Sequence, residues 1–209
     1  MVLREAEVPE TVETVAAPYW LLAVSAKSAA ALQQRLRDLR ELLQSRPWDA
    51  AAVRAMSYTL LCGRHHFAHR CVIVAQDRDD ALHLLARAEA GERPAKVFGG
   101  VVPREFAGQK TLLQYGQELL ARVAAAAAGG SDTQDALHGL ADLYCQGYSL
   151  PWAVLFGAAP PRRVALPGYP FLRDLHWIVP AADGATVDGA TMDGLASTVT
   201  PAATRRADT

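Results

Sequence analysis

The densest concentration of reactive side chains is Arg64-His65-His66-Phe67-Ala68-His69, with Cys62 before it and Cys71 after it. His65 and His69 are four apart, so on a helix they would share one face and could meet one zinc ion. Two facts oppose that. The place after His65 is taken by His66, so the zincin Glu is missing. Gly63 is also a natural helix stop, which would put the two imidazoles beyond the helix. A small metal- or thiol-dependent enzyme built on Cys62, His65, His69 and Cys71 remains one reading. A polar turn between helix and strand is the other.

Other chemistry is sparse. No Gly-x-Ser-x-Gly elbow is present, and Gly99-Gly100 leads into Val-Val-Pro103 and not into a phosphate-cradling helix. Cys62, Cys71 and Cys145 are an odd number without paired spacing, which argues against a disulfide framework. No site for a metal or cofactor is expected. Carboxylates are scattered, and Arg35, Arg37, Arg40 and Arg46 alternate with Asp38 and Glu41 as on a solvated helix face.

These residues must be carried by a chain of 209 residues, 51% hydrophobic and 21% charged, with a formal net charge of -1. That is one domain with a real core. It has no general field for nucleic acid or an anionic membrane, so neither is an expected partner. No uncharged run is free of Gly and Pro over a membrane span, and no basic leader precedes an apolar stretch. The cytoplasm is the expected location.

The elements follow from periodicity. Residues 1–17 read as an extended acidic lead-in. Tyr19 to Val24 reads as a strand, with Ser25 as the cap of a helix striped by Leu32, Leu36, Leu39 and Leu43 and stopped by Pro47. Asp49 caps a second helix with Val53, Met56 and Leu60 inside. Cys71-Val72-Ile73-Val74 is a second strand. Asp79 or Asp80 caps a helix carrying Leu82, Leu85 and Ala86, ended by Gly91. Lys96-Val97-Phe98 is a third strand. The expected fold class is α/β (α+β), a small three-stranded sheet covered by helices.

Beyond it lies a helical extension. Leu112, Gly116, Leu119 and Val123 stripe one helix, and Gly129-Gly130 breaks it. Leu137, Leu140, Ala141 and Tyr144 stripe the next, ended by Gly147. Residues 158–180 form an extended Pro-aromatic strap, and residues 181–209 a low-complexity, disordered tail with the repeat Asp183-Gly-Ala-Thr-Val, Asp188-Gly-Ala-Thr-Met. Trp152, Phe156, Tyr169, Phe171 and Trp177 crowd the region of the strap. An extended segment cannot bury five aromatics by itself, so they pack on this domain or on a partner.

The strap is also familiar. Leu166-Pro167-Gly168-Tyr169-Pro170-Phe171, with Trp177 six residues on, resembles the Leu-Pro-Thr-Tyr-Pro-Phe…Tyr-Trp linker of modular polyketide synthases, which runs back over the ketosynthase. Tyr58-Thr59-Leu60-Leu61-Cys62-Gly63-Arg64 and His69-Arg70-Cys71-Val72-Ile73-Val74 resemble parts of the ketosynthase-to-acyltransferase linker. Pro18 to Lys27 resembles that linker's start, and Met1 to Ala6 the last ketosynthase strand. No acyltransferase Gly-His-Ser-x-Gly separates the two linkers. That layout is similar to trans-acyltransferase synthases, whose ketosynthases carry a flanking subdomain, or acyltransferase docking domain.

The resemblance implies a division into 1–17 (the ketosynthase strand), 18–105 (α/β linker subdomain), 106–157 (helical extension), 158–180 (strap) and 181–209 (linker). It implies a non-catalytic docking module whose partners are a ketosynthase domain, a discrete acyltransferase and an acyl carrier protein. Trp152, Phe156, Leu166, Pro167, Tyr169, Pro170, Phe171 and Trp177 are its expected partner-binding residues. Gly168 departs from the usual Thr, and Leu175-His176 from Arg-Tyr, which points to an altered grip. A structural remnant of a split module, or an excised piece, is a further reading.

Overall fold

The computed structural model describes residues 19–126 and 131–170. The lead-in, the Gly129-Gly130 break, the end of the strap with Phe171 and Trp177, and the low-complexity tail lie outside the described residues. Three strands, β1 (Trp20–Ala26), β2 (His69–Ala75) and β3 (Val97–Val101), form an antiparallel sheet in the order β1-β2-β3. Helices α1 (Ala29–Ser45) and α2 (Ala50–Cys62) connect the first pair, and α3 (Arg78–Glu89) the second. Helices α4 (Lys110–Ala125) and α5 (Ser131–Gln146) follow, then a 3-10 turn over Trp152–Phe156. The expected class and element order are as found.

Period-two alternation splits the strands between two cores. Leu22, Val24, Cys71, Ile73 and Val97 face α1, α2 and α3, among Leu36, Leu39, Leu43, Met56 and Leu85. Leu21, Ala23, Val72 and Val74 face the other way, onto Leu119, Leu137, Leu140 and Tyr144 of α4 and α5. The helical extension is therefore the second cover of the sheet, and the arrangement is helix, sheet, helix. β1 and the end of β2 are apolar on both faces because both are covered, whereas β3, at the other edge, keeps Gly99 and Val101 exposed.

β1 ends the sheet, yet six of its seven residues are buried. Helix α2 lies beside it, and Ser57 Oγ donates to the Leu21 carbonyl at 2.7 Å. A buried serine thus satisfies an acceptor on what would be a bare edge.

Several local expectations are corrected. Ser25 is inside β1. The cap of α1 is Ser28, whose Oγ accepts from Ala31 N at 3.2 Å. The cap of α3 is Asp77, accepting from Asp80 N at 2.8 Å, because Asp79 and Asp80 already belong to the first turn. Ala86 is exposed, and Ala81, Leu84, Leu85 and Ala88 form the buried stripe. β3 runs on through Gly99-Gly100. A Cβ on Gly100 would sit 2.8 Å from the Cys145 carbonyl oxygen, so glycine there lets α5 approach the strand backbone.

Candidate functional site

The strap crosses the outer side of α2 and the β1–α1 turn. Its polar contacts are made by groups on α2, on the α2–β2 connection and in the β1–α1 turn. Thr59 Oγ1 accepts from Val164 N at 3.0 Å while donating to the Ala55 carbonyl. Arg64 Nη2 donates to the carbonyls of Leu166 (3.0 Å) and Pro167 (3.3 Å). Tyr169 Oη accepts from Lys27 N at 2.9 Å. Val164 and Leu166 rest on the core between α1 and α2. A chain rich in proline donates few backbone bonds, so side chains on the platform must supply them.

Tyr169 also closes an aromatic and cationic cluster. Its ring is 5.2 Å from that of Phe67, tilted by 58°. The Arg35 guanidinium lies 5.9 Å from its centroid, and Lys27 Nζ lies 5.7 Å from the Phe67 ring. Burial lowers the pKa of Arg35, and the charge of Arg64 lowers it further. Between the strap and α1 is a cavity of about 20 Å³ lined by Val24, Arg35, Leu39, Leu60, Leu166 and Gly168. It has room for one water and for no substrate.

Below this lies a buried joint. His66 Nδ1 is 2.7 Å from the Tyr144 hydroxyl and its Nε2 is 3.0 Å from the Leu61 carbonyl. Arg70 donates to the Tyr144 and Phe67 carbonyls. Burial pushes the Tyr144 hydroxyl up to about 12 and holds His66 below its ordinary value. The sequence singled out His65 and His69 and missed His66. His65 is exposed in the connection, and His69 opens β2, so they share no helical face. Among the described residues, no group of three or more His, Cys, Asp or Glu could hold a metal.

The thiols are not poised for attack. Burial pushes Cys71 up to about 11 and Cys145 up to about 12, and raises Cys62 as well. The nucleophile is the thiolate, which such values suppress near neutrality.

The predicted anchors divide. Trp152 and Phe156 are 6% and 5% exposed, inside the α4–α5 core. Trp152 meets Tyr144 at 5.9 Å, and Phe156 meets Tyr58 edge-on at 5.0 Å. Their assignment to a partner is corrected to the domain-internal reading: this domain consumes their area. Leu166, Pro167, Tyr169 and Pro170 are half-buried on the platform and keep an outward side. Phe171 and Trp177 lie outside the described residues. The cluster partners Lys27, Arg35 and Phe67 were not foreseen, because 142 residues of sequence separate Lys27 from Tyr169.

Residues 20–85 match the family described as CurL-like, PKS C-terminal. Polyketide synthase ThaG of Burkholderia thailandensis is 38% identical over 161 residues, covering 75% of this chain. Polyketide synthase PksN of Bacillus subtilis is 26% identical over 161 residues, covering 77% of this chain. The chain spans 3% of the length of each of these two relatives.

Among solved structures, the module 6 ketosynthase of the Bacillus subtilis bacillaene synthase superposes with a TM-score of 0.62 at 23% identity. The match covers 77% of this chain and 28% of that one. The oxazolomycin ketosynthase domain OzmH KS7 of Streptomyces albus gives 0.55 at 27%, covering 82% and 24%. At such identities the first likeness speaks to fold alone. Residues 20–85 thus carry the CurL-like, PKS C-terminal match, the chain is homologous to a short segment of polyketide synthases, and its fold recurs within chains solved as ketosynthases.

Proposed function

We propose that this chain is a non-catalytic docking and scaffold module of a trans-acyltransferase polyketide synthase. It flanks a ketosynthase and offers a surface to a discrete acyltransferase or an acyl carrier protein, in the cytoplasm, during polyketide synthesis. The observation that carries the reading is the strap. Residues 164–169 are held on the α1–α2 side by Thr59, Arg64 and Lys27. Such pinning gives the chain after Pro170 a defined point of departure. In the linker that it resembles, the aromatics that follow lie on the ketosynthase.

Two further observations support it. The relatives are polyketide synthases of which this chain matches a small share, which agrees with its being one segment of a much longer assembly. The thiols have raised pKa values, which favours a platform over a thiol enzyme. Positioning needs rigidity and a modest interface, and needs no nucleophile. On this reading Leu166, Pro167, Tyr169, Pro170, Phe171 and Trp177 make the partner contact.

The test is direct binding of the full 209-residue chain to a ketosynthase from the same synthase, and to its acyltransferase and carrier protein, by biolayer interferometry. Saturable binding to at least one is expected, weakened by Phe171→Ala with Trp177→Ala. Absence of binding to all three overturns the proposal.

A further inference from the structure

Cations gather where the strap crosses the β1–α1 turn and the α2–β2 connection. Arg64 bonds two strap carbonyls, Arg35 lies against the Tyr169 ring, and Lys27 lies near the Phe67 ring. Arg163 runs beside Gly63, its Nε 3.3 Å from where a Cβ on that glycine would stand. Lys27 and Arg163 are exposed, and Arg35 and Arg64 are half-buried. Among the described residues none of the four has a carboxylate within ion-pair distance. Asp38 is close enough to Arg35 to act on its charge, but its Oδ1 is bonded by Gln34.

The helices next to this patch treat their cations differently. Arg37 and Arg40 both engage Glu89, Arg87 engages Glu92, and Lys96 engages Asp80. The chain thus neutralises its α1–α3 side internally and leaves the strap side positive. Arg35 and Arg64 sit close enough to repel. Arg35 Nη1 donates to the Ser25 carbonyl at 2.6 Å and Arg64 to the two strap carbonyls, which hold the guanidiniums in place but bring no negative charge, so an anion bound beside them would relieve the repulsion.

We infer that Lys27, Arg35, Arg64 and Arg163 form a receptor for a carboxylate-bearing face of the ketosynthase domain, with Phe67 and Tyr169 as its floor. The inference rests on the docking reading above and names one face of that interface and its chemistry. The ketosynthase is chosen over other acidic partners because the patch adjoins the end of the pinned strap. From there the chain continues into Phe171 and Trp177. A protein carboxylate is favoured over free phosphate because the four cations are spread over a surface and do not converge on one pocket: of the four only Arg35 lines the small cavity beside the strap, and Lys27 and Arg163 are exposed. It is favoured over nucleic acid because the chain's net charge is -1.

The experiment measures binding of the full-length chain to the ketosynthase domain across salt from about 0.05 M to about 0.5 M. Arg35→Glu/Arg64→Glu is compared with Lys27→Glu/Arg163→Glu, whose exposed side chains make no fold-bearing hydrogen bond. The control is Arg78→Glu/Arg87→Glu, an equal charge change on α3. Both patch variants should associate about tenfold more slowly and lose most of the salt dependence, with the control unchanged. Carbodiimide treatment of the complex should join Lys27 to a ketosynthase Asp or Glu.

If the wild-type chain binds and neither patch variant differs from the control, the charge inference falls and the docking reading stands. If the wild-type chain binds none of its three proposed partners, both fall. Competition by inorganic phosphate at millimolar concentration would overturn the choice of a protein carboxylate. So would patch-dependent binding of an RNA oligonucleotide without ketosynthase binding.

Discussion

His66 and Tyr144 meet through a 2.7 Å hydrogen bond that joins the α2–β2 connection to α5. The Leu61 carbonyl can only accept, so His66 Nε2 carries a proton, and in the neutral imidazole Nδ1 accepts from the Tyr144 hydroxyl. An imidazolium would have to reverse that second bond, so the joint discriminates against it in favour of the neutral imidazole. Burial favours that form, the Leu61 bond opposes it, and Arg70, His65 and Arg35 add to the cost of charging it. Tyr144 packs from α5 as a neutral phenol.

A pH dependence follows. The unfolded chain takes up a proton at the ordinary imidazole value of 6.5, and the folded chain only at lower pH. Between the two the unfolded state binds more protons, so stability is full above that window and is lost as acid passes through it. Melting temperature should fall from about pH 7 to about pH 5, and His66→Gln should flatten much of that slope. His138, also lowered by burial, should leave a residue of it. An unchanged slope in His66→Gln would remove His66 from the account.

The strap should come loose through one oxygen. Thr59→Val keeps volume but removes the acceptor for Val164 N. The cost to global stability should be about 1–2 kcal/mol, since the bond from Val164 N is lost together with the one to the Ala55 carbonyl. Trypsin cleavage after Arg162 and Arg163 should rise sharply at that small cost, because the strap opens locally. Mass spectrometry of the digest reads it. Equal cleavage in both proteins would show that Thr59 does not hold the strap.

Much of the fold was legible because its stripes are clean. Leu36, Leu39 and Leu43, then Leu137, Leu140 and Tyr144, repeat at helical spacing, and each set is buried in the face expected of it. Caps were legible only where one candidate stood alone. Asp49 was such a case, whereas Ser25 competed with Ser28 and Asp79 with Asp77. The role of α4 and α5 was not legible, since a helix stripe says that a face is buried and not what buries it. The same limit applies at the strap. Pro and aromatic content announced an extended segment, but its partners Thr59, Arg64 and Lys27 are more than a hundred residues away. His66 was hidden for a similar reason, because its partner Tyr144 is 78 residues distant.

The adjacent glycines of β3 should respond oppositely to alanine. At Gly100 the new Cβ meets the Cys145 carbonyl oxygen at 2.8 Å, and backbone cannot step aside. Gly100→Ala should cost about 1–3 kcal/mol by overpacking. At Gly99 the nearest atoms belong to the Arg93 guanidinium, the far end of a flexible side chain. Gly99→Ala should cost less than about 0.5 kcal/mol. Urea melts of the two variants decide it, and comparable losses would mean that α5 does not press on Gly100.

Trp152 and Tyr169 separate stability from docking. Trp152 is buried against Tyr144, so Trp152→Ala opens a core cavity and should cost about 3–5 kcal/mol. Tyr169 is half-buried on the platform, where truncation loses a hydrogen bond to Lys27 N and the Phe67 contact. That should cost about 1–2 kcal/mol of stability, since the site is open to water. Its larger effect should fall on the path of the strap, and so on ketosynthase binding at a temperature where the variant is fully folded. Chemical denaturation gives the first quantity and interferometry on the folded variant the second. If Tyr169→Ala binds as the parent does, while losing the Lys27 contact, the strap's path is fixed by Thr59 and Arg64 and the aromatic cluster serves the fold alone.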